Sequence, residues 1–138
     1  MPADSLSLEF DERILTHLEH NVRPGLLALH HAGMRFCVGA ASLGMPALLV
    51  SGRLPFEFLK LDPGITEQIT NSPVARTVCE TIISLAHRLE MSVIAEGITN
   101  AAQHQVLKAI GCDAGQGFWL GPPLNASDFE QQYLVHPA

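Results

Sequence analysis

Residues 91–100 read MSVIAEGITN. The run from Met91 to Ala95 is apolar apart from Ser92 and shows no strict alternation, as in a strand buried on both faces of a parallel sheet. It ends at a carboxylate, Glu96. Four residues on, Asn100 is a helix cap, with Gln103 three positions later as a capping-box partner. That helix is expected to stop at Gly111, because glycine takes the left-handed backbone that ends helices. Strand, charged strand end and helix in one short stretch make a βα unit.

The same pattern extends in both directions. Strands are predicted at 6–10, 34–38, 56–61, 91–95 and 117–120. Between the first two, Ile14, Leu18, Val22, Leu26 and Leu29 keep helical spacing, with a kink expected at Pro24. Between the third and fourth, Val74, Val78, Ile82, Leu85 and Leu89 form an apolar stripe, with Ser72 as cap and Pro73 in the first turn. A last short helix is expected from Ser127, with Glu130 in the capping-box position. The fold class is therefore α/β, with about five βα units and a parallel sheet. It is either an open α/β sheet or part of a (β/α)8 barrel. In both, ligand groups belong at the carboxyl ends of the strands.

The bulk composition narrows the function classes. A chain of 138 residues with 47% hydrophobic and 16% charged residues has a globular composition and suits a single domain. The net charge of −6 and eight thinly spread basic residues argue against a nucleic-acid partner. No stretch is long enough for a membrane helix, and the N-terminus lacks the basic and apolar regions of a signal peptide, so a cytoplasmic location is expected. Cys37, Cys79 and Cys112 read as free thiols in apolar sequence. The seven histidines lack metal-ligand spacing, and the His30-His31 pair is expected at the surface.

Read in order, the strand ends carry Glu9, then Gly39-Ala40, then Lys60 with Asp62, then Glu96, then Gln116. Each polar group alone has a plain structural explanation. Together, at one end of successive parallel strands, they point to a shared centre. Carboxylates bind hard divalent cations, which lower the pKa of a bound water and neutralise phosphoryl charge, and a lysine can fix that water or an oxygen. The suited chemistry is hydrolysis of a phosphate ester.

The segments LSLEFDE, FLKLD, VIAEGITN and LKAIGCDAGQGFWLGPPL resemble the C-terminal part of an EAL domain. The family motifs read roughly LEITE, LKID, IAEGVET and LGCDxxQGYLxxxPL, and the resemblance runs from about Leu6 to Phe129. EAL domains are bacterial cyclic di-GMP phosphodiesterases on a (β/α)8 TIM-type barrel, using Mg or Mn. The resemblance makes Glu9, Asp62 and Glu96 candidate metal ligands. Lys60 and Gln116 become candidate catalytic groups around the attacking water.

Two departures from the family pattern bear on activity. Where the family has DDFGTGYSSL, this chain reads GAASLGMPAL, so Gly39 and Ala40 replace two metal-binding aspartates. Thr99 replaces the second glutamate of EGVE, which braces that loop. In addition, the sequence begins just before the LEITE-like motif, without the upstream strands that carry the signature glutamate-alanine-leucine and a metal-binding asparagine.

The expectation is one partial EAL domain over residues 1–138, with an open, curved sheet of about five strands and vestigial sites. Negligible phosphodiesterase activity is expected, with no stably bound Mg or Mn. The leading functional expectation is a degenerate module of cyclic di-GMP signalling that binds the nucleotide weakly or not at all. The alternatives are residual metal-dependent hydrolysis of cyclic di-GMP to linear pGpG, a protein-interaction module that self-associates or binds a partner, and a non-functional gene remnant.

Overall fold

Five short strands alternate in face, and that alternation organises the molecule. A computed structural model of the chain describes residues 2–11, 22–41 and 55–134. The strands are β1 (Ser7–Asp11), β2 (Arg35–Ala41), β3 (Phe58–Leu61), β4 (Ser92–Glu96) and β5 (Ala114–Gln116). All neighbouring pairs are parallel, and the sheet order β1-β2-β3-β4-β5 leaves β1 and β5 as open edges. The expected open five-stranded parallel sheet is thus present.

The helices are α1 (Arg23–His31), α2 (Pro63–Gln68), α3 (Pro73–Arg88), α4 (Ala101–Ala109) and α5 (Ala126–Phe129). A 3-10 turn at Ala3–Ser5 precedes β1, and a π-helical turn at Glu130–Leu134 follows α5. Among the described residues, no helix is long and apolar enough to cross a membrane.

One face of the sheet forms the core. Phe36, Val38, Leu59, Leu61, Val93 and Ala95 are fully buried, and they cluster with Leu26, Ile69, Cys79, Ile82, Ile83, Ala86 and Leu107 from the helices. Because strand side chains alternate, the residues between them (Glu9, Cys37, Gly39, Lys60, Ile94, Glu96 and Gln116) belong to the opposite face. The site lies on that second face.

Several sequence expectations need correction. The last strand is at Ala114–Gln116, not 117–120. Gly117 passes so close to the Ile98 backbone that a Cβ would overlap it, and Trp119 N–H donates to the Ile98 carbonyl at 3.2 Å. Phe118, Trp119 and Leu120 therefore form an exposed turn instead of a strand. On α3 the buried residues are Ala75, Cys79, Ile82, Ile83 and Ala86, while Val74 and Leu89 are exposed. Of the expected stripe, Ile82 is buried, Val78 packs against the core and Leu85 is half-buried, so only its two ends face outward, and Ala75 and Ala86 take the close contacts there. Pro24 lies in the first turn of α1, where its missing N–H costs nothing, so it starts the helix and does not kink it.

Asn125, not Ser127, caps α5, accepting from Asp128 N–H at 2.9 Å. His30 is half-buried, its ring 5.7 Å from that of Phe36, so only His31 of that pair is a surface residue. Ile14 and Leu18 lie outside the described residues.

Other expectations hold. Ser72 Oγ accepts from Ala75 N–H at 3.1 Å, and Asn100 Oδ1 accepts from Gln103 N–H at 2.9 Å. Gly111, at φ 90°, follows the end of α4.

Candidate functional site

The strand ends fall into two groups. In the first, β1 and β2 set Glu9 beside Cys37 and Asp11 beside Gly39, and β3 follows on the other side of β2. Lys60 Nζ donates to Glu9 Oε2 at 2.6 Å. The Lys60 side chain is 9% exposed and that of Glu9 46%, so a nearly buried ammonium is neutralised by a carboxylate open to solvent on one side. Gly39 is buried directly against this carboxylate, and a Cβ there would overlap Glu9 Oε1.

Cys37 shares the face. Burial pushes its thiol up to about 11, the Glu9 charge adds to the rise and Lys60 opposes it. The side chain is therefore a neutral thiol at ordinary pH, not a nucleophile or metal ligand.

The second group lies across β4 and β5. Glu96 and Gln116 are register neighbours at the ends of these strands. Both line a cleft of roughly 380 Å³, with Pro63, Phe118, Pro122 and Pro123 supplying apolar walls. Gly97, at φ 79°, makes the turn out of β4 and lies against the Pro63 ring, where a Cβ would crowd it. A second close approach, of Gly117 to the Ile98 backbone, sets the far wall. Ile98 itself is 1% exposed, and its N–H donates to the Gln116 carbonyl at 3.1 Å.

The remaining sequence-derived residues are engaged locally. Asp62 caps α2 by accepting from Gly64 N–H at 2.6 Å. Thr99 donates from both its N–H and its hydroxyl to Gln103 Oε1, at 2.8 and 3.1 Å. Gln103 thus reaches back one residue beyond the Asn100 cap. Ala40 lies in β2, and its side chain is outside the described set.

A feature that the sequence reading passed over is the ring of ties on Asp113. Its Oδ2 accepts from Val93 N–H at 2.7 Å and lies 2.7 Å from His87 Nε2. Slight burial raises its pKa, but the Val93 N–H and the His87 ring outweigh this and hold the carboxyl below its ordinary value. An aspartate directly after Cys112 and just before β5 was the available signal.

A divalent-cation centre needs several oxygen donors converging on one point. Here Glu9 Oε2 is bonded to an ammonium, Asp62 Oδ1 to a backbone N–H, and Gly39 has no donor. Among the described residues, no group of three or more His, Cys, Asp or Glu side chains could hold a metal ion. The described residues of this chain do not fit a two-cation centre.

Comparisons with known proteins identify the architecture. The EAL domain family model matches residues 1–123. The chain is 32% identical over 126 residues to cyclic di-GMP phosphodiesterase PA2567 of Pseudomonas aeruginosa, covering 91% of this chain and 22% of that protein. It is 32% identical over 139 residues to the signaling protein YkoW of Bacillus subtilis, covering all of this chain and 17% of that protein. The chain thus spans about a fifth of the length of these curated relatives.

Among solved structures, the EAL enzyme Bd1971 bound to cAMP and cyclic di-GMP superposes with a TM-score of 0.84 at 27% identity, over 95% of this chain and 35% of that one. Structures with this fold include manganese and calcium complexes of Klebsiella pneumoniae BlrP1 with cyclic di-GMP, at 23% identity a likeness of fold alone. With the five-stranded parallel sheet and the row of polar strand ends, the match over residues 1–123 establishes that this chain belongs to the EAL domain family.

Proposed function

We propose that the chain is a degenerate, non-catalytic EAL module of cytoplasmic cyclic di-GMP signalling. The observation that carries this reading is the Glu9–Lys60 ion pair lying against Gly39, where the family pattern has an aspartate. In-line displacement at phosphorus needs stabilisation of both attacking and leaving oxygens, usually by paired cations. Glu96 and Gln116 remain at the ends of β4 and β5, but two groups on one side of a cleft do not make such a clamp.

The test is incubation of the purified chain with cyclic di-GMP and millimolar manganese or magnesium, followed by chromatography for pGpG. The expected result is no product above the buffer control. Metal-dependent turnover that disappears in Glu96→Ala would instead support residual hydrolysis.

The cleft favours a second element, retained nucleotide binding. Its walls of Phe118, Pro122 and Pro123 suit the flat face of a purine, and Gln116 offers an amide to a base edge or phosphate. Calorimetric titration with cyclic di-GMP checks this, and absence of heat at high micromolar ligand removes it. A protein partner or a second copy is the remaining proposal, supported by exposed Phe118, Trp119, Leu120, Phe129, Tyr133 and Leu134 beyond the β5 edge. Light scattering after size exclusion distinguishes a self-associating chain from a monomer.

A further inference from the structure

We propose that the Lys60 ammonium is the resident cation of the strand-end centre, and that glycine at position 39 is what seats it. The inference deepens the non-catalytic reading by giving a physical reason why this chain's own residues do not accept a metal at Glu9.

Three observations meet at this point. Among the described residues, Lys60 is one of three buried polar or charged residues, and its ammonium donates to Glu9. A buried ammonium without a counter-charge is strongly disfavoured, so Glu9 is the partner that makes Lys60 tolerable there. Glu9 reaches it by lying flat over residue 39. Its Cγ and Cδ would each be 3.2 Å from a Cβ at that position, and Oε1 would be closer still. A side chain at 39 therefore requires the Glu9 carboxylate to shift from the position in which its other oxygen, Oε2, meets Lys60.

The absence of a carboxylate at 39 and the presence of the ion pair therefore act in the same direction. The first removes a donor and the second occupies another. A divalent ion arriving at Glu9 must displace an ammonium that the fold holds 2.6 Å from the carboxylate, and that ammonium is always present at high effective concentration.

An ordinary glycine in a strand behaves differently. Replacing it by alanine removes backbone freedom from the unfolded chain and is neutral or stabilising where the backbone permits. The sign of the Gly39→Ala effect therefore separates the two accounts. In the wild-type background Gly39→Ala is expected to lower the thermal midpoint by about 4 °C. In a Lys60→Met background, where Glu9 has nothing to hold, the same substitution is expected to leave the midpoint unchanged or raise it. Equal shifts in both backgrounds, or a rise in the wild-type background, overturn the proposal.

A second readout does not depend on stability. Reductive methylation followed by mass spectrometry should label Lys60 slowly in the wild type and faster in folded Gly39→Ala, because its partner has been displaced. Unchanged labelling overturns the proposal, as does stoichiometric binding of manganese by the wild-type chain. These outcomes are separable from failure of the functional reading. Turnover of cyclic di-GMP would sink the non-catalytic assignment, whereas additive midpoints in the mutant cycle would sink only the resident-cation assignment.

Discussion

Glu9 and Glu96 are both carboxylates on the same face of one parallel sheet, near the ends of β1 and β4, yet their surroundings differ. Glu9 is bonded to a nearly buried ammonium and lies against a glycine. The Glu96 side chain makes no hydrogen bond or ion pair among the described residues and opens into a cleft walled by prolines and a phenylalanine. Across β1 to β3 the strand ends have closed on themselves. Across β4 and β5 they remain available. A polar group at a strand end is therefore no measure of function until its partner is known, because a satisfied carboxylate stabilises the fold and an unsatisfied one can meet a ligand.

The largest expected effect comes from breaking the β4–β5 side. Gly117→Ala would push a Cβ into the Ile98 backbone, and relief requires moving either β5 or the turn after β4. Overpacking against backbone typically costs ~1–3 kcal/mol, and this position should reach the upper part of that range in chemical denaturation. A wild-type-like midpoint would show that the cleft wall is loose.

The next effect sharpens the contrast between the two glutamates. Glu9→Gln keeps the shape but removes the charge that faces Lys60, and should cost about 1 kcal/mol, reduced from a fully buried pair because Glu9 is half-exposed. Glu96→Gln should stay within about 0.5 kcal/mol, as for a surface substitution. Equal losses from the two variants would dissolve the distinction between a closed and an open half.

Proton linkage supplies a third test, on the β4–β5 side. Asp113 has a carboxyl held below its ordinary 3.8, so its contribution to stability is fully present above that value and is lost as pH falls through the lower, folded-state value. Comparing urea midpoints of wild type and Asp113→Asn from pH 6 down to pH 2 should show a gap that shrinks below about pH 4. A gap independent of pH would assign the effect to hydrogen-bond geometry alone.

A small effect of opposite sign is expected at Thr66, fully buried on α2 with a hydroxyl that finds no partner among the described residues. Thr66→Val keeps the branched shape and removes an unsatisfied oxygen, so stability should be unchanged or rise by up to about 1 kcal/mol.

Much of this architecture was legible because parallel βα units leave a strong trace. The apolar run before Glu96 and the caps at Ser72 and Asn100 report local physics, and the structure reproduces them. The last strand was misplaced because Phe118-Trp119-Leu120 looks like a strand by hydropathy. The decisive fact, Gly117 pressed on the Ile98 backbone, is a contact between distant residues that no window of sequence contains. The two ends of the α3 stripe, Val74 and Leu89, were misassigned for a related reason, whereas Val78 and Ile82 do face the core. A stripe of large residues is conspicuous, but close packing on a sheet favours alanine and cysteine at the point of contact.

At the strand ends, the sequence singled out Glu9, Lys60, Asp62, Glu96 and Gln116 without revealing how they are partnered. Pairing depends on side-chain direction and on neighbours in the sheet, and hydropathy encodes neither. Asp62 at the start of α2 could have been recognised from the Pro63-Gly64 that follows, since an aspartate before such a pair is a strong helix-capping signal.

The bare backbone at position 39 also sets how this corner would answer a larger residue. An aspartate introduced there would not simply enter a waiting pocket, because its Cβ meets the Glu9 carboxylate first. Two acids would then compete for the single Lys60 ammonium, and a pair that is now balanced would become a trio with an excess negative charge.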